Sequence, residues 1–155
     1  MPISAYLRNL RKLIGHQLIL SPAVAAIIRN QDGNILVLRR SDTQEWSLPA
    51  GAVDPGETPS EAVAREVLEE TGLVVNPSRV LGVFGGQDFR VQYPNKDQVE
   101  YLVVLFACEV TGGQLSPMDG EAIEFRYVPM DQVGALLGLP YPTAVFSVSS
   151  SMCWN

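Results

Sequence analysis

Between Thr58 and Gly72 the chain spells out a helix with both ends marked. Thr58 can cap the N-terminus, Pro59 suits the first helical position, where an N–H has no partner anyway, and Glu61 closes a capping box. Val63, Ala64, Val67 and Leu68 supply an apolar stripe, and Gly72 can end the helix in a left-handed turn. The spacing predicts a helix over Pro59–Glu70 with that stripe buried. Its other face is the constraint. Glu66, Glu69 and Glu70 fall within about one turn, so three carboxylates repel at close range, and Arg65 offsets only part of that. A hard divalent cation, Mg²⁺ or Mn²⁺, takes carboxylate oxygens and would resolve the conflict. Two ions roughly 3.5–4 Å apart can share such a cluster. A solvated face also tolerates three glutamates, and spacing alone leaves both readings open. On either reading these side chains are expected to be exposed.

The rest of the chain reads as strands and short helices around that element. Residues 2–14 carry Tyr6, Leu7, Leu10, Leu13 and Ile14 at helical spacing, with Arg8, Arg11 and Lys12 largely opposite. This predicts an amphipathic helix packed on the domain or on a partner subunit, which leaves room for a homodimer through this helix or the sheet. Pro22–Asn30 and Ile35–Leu38 read as strands joined by a hairpin turn at Gln31-Asp32-Gly33-Asn34. Val80–Phe84, Tyr101–Val110 and Ile123–Val128 are further strands. The second of these is almost continuously apolar and therefore central. Gly112-Gly113 reads as a turn, Met130–Leu137 as a short helix, and the polar tail ends with Trp154 as a docking candidate. With 155 residues, no repeat and no low-complexity linker, a single mixed α/β domain is expected.

Charge and composition narrow the function. Seventeen acidic and eleven basic residues give a net charge of -6. That field disfavours DNA, RNA backbone and anionic lipid, and leaves small nucleotides or an RNA 5′ end, which a local basic patch or a metal can hold. Two cysteines make no disulfide framework, and no stretch approaches the roughly 20 apolar residues of a bilayer span. With no apolar leader, the cytoplasm is the expectation by elimination. His16 is the sole histidine, which argues against histidine-rich zinc sites and histidine relays. The glycines form neither a Walker loop nor a dinucleotide fingerprint.

From Gly51 to Leu73 the chain reads GAVDPGETPSEAVAREVLEETGL. Gly51, five residues, Glu57, seven residues and then Arg65-Glu66-Val67-Leu68-Glu69-Glu70-Thr71-Gly72-Leu73 resemble the box of the Nudix hydrolases. Every fixed position of that pattern is met. The strand ending in Arg39-Arg40 and the run Trp46-Ser47-Leu48-Pro49 precede it where the family would have them, and Ala50 stands where many members have a second glycine. The resemblance spans about Pro22 to Val128. It implies an α/β/α sandwich around a mixed sheet, with the box as a loop–helix–loop unit, and an Mg²⁺- or Mn²⁺-dependent pyrophosphohydrolase.

Carried over residue by residue, the resemblance makes Glu66, Glu69 and Glu70 the metal ligands, with the Gly51 carbonyl as a further oxygen. Glu70 would bridge or lie nearest the attacking water, Glu66 would orient or deprotonate it, and Glu57 would be an outer ligand or stand behind the ligands. Arg65 would pair with a box carboxylate and hold helix and loop in register. A further catalytic and metal-binding glutamate from outside the box is expected to be Glu121, with Glu124 next and Glu100 a weaker candidate.

For the substrate, strand alternation sends Arg39 and Arg40 to opposite faces, so one of them can reach phosphate. Trp46 can stack on a base or pack in the core. The stretch from Gly85 to Tyr101 reads as a lid over the substrate, with Phe89 and Tyr93 for stacking and Arg90 and Lys96 for phosphate. The expected substrate is a nucleoside diphosphate linked to another moiety, ADP-ribose or another nucleotide sugar first. Triphosphate cleavage of the MutT-like sanitation type, dinucleoside polyphosphates and RNA 5′ ends follow, and a sensing or protein-interaction module without catalysis is the alternative of a different class. Asp88 stands fifteen positions beyond Leu73, where a proline marks many ADP-ribose enzymes, and this weakens the leading substrate.

Overall fold

The computed structural model describes residues 3–117 and 120–147. Two sheets carry the architecture. In the larger, β1 (Ile19–Ile28) lies parallel to β7 (Gln98–Gly113) over ten pairs from Ile19↔Val99 to Ile28↔Cys108. β4 (Ala50–Ala52) pairs antiparallel on the free edge of β1, while β5 (Leu73–Phe84) and β6 (Arg90–Gln92) pair antiparallel with β7. The smaller sheet has the order β3 (Trp46–Ser47), β2 (Ile35–Arg40), β8 (Ala122–Val128).

The helices cover the mixed sheet. α2 (Pro59–Thr71) packs on β1, β4 and β5. α3 (Met130–Leu136) and α4 (Ala144–Ser147) send Val133, Val145 and Phe146 into a second apolar cluster. Successive residues of β1 serve the two clusters in turn. Ala23, Ala25 and Ile27 meet Val103 and Leu105, while Val24, Ala26 and Ile28 meet Ala62, Val63 and Val67 of α2. A strand buried on both faces is apolar without alternation, which is why these runs read as they do. The same reason makes β7 the central strand.

The predicted hairpin is half right. The turn forms, with Gly33 at φ 80° and Asn30 Oδ1 accepting from the backbone N–H groups of Asp32 and Asn34. Beyond one bridge, Arg29↔Ile35, the two strands part: β1 stays in the mixed sheet and β2 joins β3 and β8. A turn is a local structure, whereas pairing is settled by which apolar faces can be covered. Gly112-Gly113 is not a turn, since β7 runs through both and pairs them with Val74 and Leu73. Glycine is needed there for close approach: a Cβ on Gly113 would fall 2.2 Å from the Gly72 carbonyl oxygen.

α2 is one residue longer than predicted and ends at Gly72 in the left-handed conformation. β5 starts at once at Leu73 and reaches the predicted Val80–Phe84 through register shifts around Pro77. The first helix, α1, spans Ala5–Ile14, with the Ser4 hydroxyl accepting from the Leu7 N–H at 3.2 Å. The tail with Cys153 and Trp154 lies outside the described residues. Among the described residues no helix is long and apolar enough to cross a membrane.

Candidate active site

The buried face of α2 is turned away from the one predicted. Leu68 is 44% exposed, whereas Glu66 and Glu70 are 1% and 2% exposed. The expectation that these glutamates are exposed is therefore wrong. The reason lies in β4. The helix buries Val63 and Val67 against the sheet, and the edge strand Ala50–Ala52 passes over its adjoining flank, where Glu66 and Glu70 project.

Gly51 makes that close passage feasible. A Cβ there would fall 2.2 Å from Glu66 Cδ, closer than any real contact. Above it, the Ala50 N–H donates to Glu70 Oε2 at 3.2 Å. Glu66 Oε1 accepts from Arg65 Nη1 at 2.8 Å, and Glu66 Oε2 is buried and accepts no hydrogen bond from the described residues. Burial pushes the Glu66 carboxyl up to about 7, against the pull of Arg65.

Arg65 is the hub of the cluster. Its Nε and Nη2 donate to the two oxygens of Glu57 at 2.6 and 2.8 Å, and Nη1 reaches Glu69 Oε2 at 3.3 Å. Nη2 also donates to the Ala52 carbonyl at 3.0 Å and lies 3.5 Å from Asp54. The two-pronged grip on Glu57 holds that carboxyl below its ordinary range, and the Asp54 N–H adds to it at 2.8 Å. Glu57, Glu66 and Glu69 thus converge on a guanidinium. Among the described residues no group of three or more His, Cys, Asp or Glu stands at metal-holding spacing.

Glu66 and Glu69 open on a cavity of about 760 Å³. Its floor is the face of β1 and β7 opposite α2, with Ala23 and Val103 near β4, Ser21 and Tyr101 in the middle, and Ile19 and Val99 at the far end. Arg40 stands on the facing wall, where Nε and Nη2 each donate to Asp42 at 3.0 Å and Nη2 lies 3.8 Å from Glu121. Burial works against the Arg40 charge, and the Asp42 carboxylate more than restores it. The Tyr93 and Tyr101 hydroxyls share a hydrogen bond beside it, and burial pushes both phenols up.

The other sequence candidates divide. Trp46 lines the cavity, with Arg126 Cζ 4.6 Å from its ring centre. Arg90 lines it too and pairs with Glu100 at 2.8 Å. Arg39 is elsewhere, its guanidinium bonded to Gln44 while its neighbour faces the cavity. Phe89 is not a lid residue. The short 3₁₀ turn Gln87–Phe89 drives it into the core, 5% exposed, against Phe84 and Tyr141 at ring distances of 6.3 and 5.3 Å. Glu124 pairs with Arg126 at the surface. Sequence reasoning missed Tyr101, Asp42 and the contribution of α1. Tyr101 opens the apolar run of β7, and only the parallel pairing with β1 turns it to the cavity.

Residues 20–146 match the family model of the NUDIX domain. The chain belongs to the NUDIX family. It is 36% identical over 134 residues to an ADP-ribose pyrophosphatase of Methanocaldococcus jannaschii, covering 83% of this chain and 73% of that protein. It is 32% identical over 122 residues to a MutT-like protein of Streptomyces ambofaciens, covering 78% and 71%. Among solved structures, an ADP-ribose pyrophosphatase from Streptococcus suis superposes with a TM-score of 0.67 at 26% identity, covering 87% of this chain and 96% of that one. The expected fold, a mixed sheet between helices, is that of these NUDIX relatives. The class of activity follows from membership: a pyrophosphohydrolase acting on the diphosphate of a nucleotide-derived substrate.

Proposed function

We propose that this NUDIX chain hydrolyses the diphosphate of a nucleoside diphosphate joined to another moiety, with ADP-ribose or another nucleotide sugar as the leading class, using Mg²⁺ or Mn²⁺. The observation that carries the reading is one cavity with two unlike ends. Glu66, Glu69 and Arg65 line one end, and the floor runs past Arg40, Tyr93 and Tyr101 to an apolar end. A volume of about 760 Å³ lies within the roughly 300–1,000 Å³ of small-molecule sites and suits a substrate longer than a mononucleotide.

The donor set fits a hard cation. Glu66 keeps a buried oxygen that accepts no hydrogen bond from the described residues, and Gly51 has no side chain to fill the space against it. Glu66, Glu69 and Glu70, with the Gly51 carbonyl, are the residues that would hold the metal. When bound, the metal polarises phosphorus–oxygen bonds and makes water a stronger nucleophile. The chain supplies the rest. Arg65 grips Glu57 and Glu66 together and so fixes the helix against the loop before it. The Ala50 N–H orients Glu70. Arg65 Nη1 holds one Glu66 oxygen at 2.8 Å and so orients the carboxylate toward the space beside Gly51. Arg40 can meet phosphate, with Asp42 and Glu121 beside it to accept hydroxyls of a sugar.

A metal-dependent phosphate-release screen tests this, run with and without added phosphatase over ADP-ribose, nucleotide sugars, triphosphates, dinucleoside polyphosphates and 5′-capped RNA. ADP-ribose or a nucleotide sugar is expected to give the highest kcat/KM. Preference for a triphosphate would favour the sanitation reading. No turnover with any of them would favour a sensing or interaction module.

A further inference from the structure

α1 has the amphipathic pattern of a packed helix, yet none of its residues is fully buried, and Leu13 is 83% exposed. Its half-buried stripe, Ser4, Leu7 and Arg11, lines the same cavity as the box glutamates, together with Ile3. The helix is held there by Arg11. Nη1 donates to the carbonyls of Gly15 and Gln17 at 3.0 and 2.6 Å, Nη2 donates to that of Gln98 at 2.9 Å, and Nε lies 3.6 Å from Asp97. Asp97 in turn takes His16 Nδ1 at 2.7 Å. Those contacts join α1 to the turn between β6 and β7. They engage both Nη atoms with backbone carbonyls, so Arg11 positions the helix.

Beneath α1 the floor is apolar. Ile19, Val99 and Val91 lie side by side in the sheet register. Ile19 is four residues along β1 from Ala23, which pairs with Ala52 of β4 beside the box, so this end lies about 13 Å along the strand from Ala23 at ~3.3 Å per residue. Leu7, Ile3, Ile19 and Val99 offer no side-chain hydrogen-bonding groups. A sugar lying on these four side chains would leave the hydroxyls that face them without partners, which costs about 1–3 kcal/mol for each buried group. An aromatic base loses far less, since its faces are apolar.

We propose that α1, with Leu7 at its centre, is the base-binding wall of the active-site cavity and sets which nucleobase the enzyme accepts. This rests on the function proposed above and adds which part of the substrate points which way: diphosphate at α2, sugar beside Arg40, Asp42 and Glu121, base beneath α1. Leu7 is a specificity residue and takes no part in the chemistry.

The test is steady-state kinetics with Mg²⁺ on three substrates: ADP-ribose, its uridine counterpart, and a diphosphate diester carrying ribose at both ends and no base. Leu7→Ala is expected to raise KM for ADP-ribose about tenfold, leave kcat within twofold, and leave kcat/KM for the base-free diester unchanged. Leu7→Trp, which narrows the seat, is expected to shift the ratio of adenine to uracil substrates at least tenfold toward uracil. Melting curves of both variants report whether the fold is kept. Equal losses on all three substrates, or no change with either variant, would overturn the assignment while the wild-type activity stands. If the wild type hydrolyses none of the three, the function proposed above fails and this assignment falls with it.

Discussion

Two helices border one cavity in this protein and are held by opposite means. α2 is pinned by apolar burial of Ala62, Val63 and Val67 against the sheet, and that docking carries Glu66 and Glu70 out of solvent under β4. α1 buries no residue fully and is held at the mouth by Arg11 and the Asp97 cluster. The difference teaches where rigidity is spent. The carboxylates proposed to hold a cation against the diphosphate sit on the element whose position is fixed by packing. The element proposed to meet the base is held by a few polar contacts.

The sharpest way to break this comparison is at α2. Glu69→Gln keeps the shape of a half-exposed side chain and removes its charge, so kcat is expected to fall a hundredfold or more, on the order of losses seen at catalytic electrostatic groups. The melting temperature should move little, and turnover equal to wild type would sink the assignment of this cluster. Gly51→Ala comes next. Its Cβ must displace the Glu66 carboxylate or lift β4, with an expected cost of about 1–3 kcal/mol in a denaturant titration and a clear loss of activity. A fully stable, fully active variant would mean that β4 does not press on Glu66.

The smallest effect sharpens the other side. Burial raises the Asp97 carboxyl, but the hydrogen bonds from His16 and Asn95 and the charge of Arg11 outweigh it and hold it below the ordinary aspartate value. A depressed native value means that the stabilisation is complete above the ordinary value and fades as pH falls through the lower native one. Acidification into that window should free α1, seen as faster cleavage between Arg8 and Gln17 by an acid-tolerant protease while the core stays protected. Asp97→Asn should give the faster cleavage already at neutral pH. Equal cleavage of variant and wild type there would show that Arg11 alone holds the helix.

Much of α2 was legible because its signals are local. Thr58, Pro59 and Glu61 mark its start within four residues, and Gly72 marks its end by the left-handed conformation that only glycine takes at low cost. The box spacing is local in the same sense, so the family and the candidate glutamates could be read without coordinates. Beyond that reach the sequence misled. Phe89 reads as an exposed aromatic among turn residues, yet Phe84 and Tyr141, the latter more than fifty residues away, draw it into the core. Gly112-Gly113 reads as a turn because the close approach of Gly72 is invisible from its neighbours.

By itself, then, the sequence determined the helix ends, the apolar runs of β1 and β7, and the set of charged residues on α2. Each follows from interactions within a few residues or from a period of burial. Only the tertiary structure decided that Glu66 and Glu70 are buried, that Arg40 and not Arg39 faces the cavity, that β1 and β2 part into different sheets, and that Tyr101 and Leu7 border the same space as the box. Those outcomes depend on which faces cover each other across tens of residues, and a strand or a helix carries no record of its partner until the chain has packed.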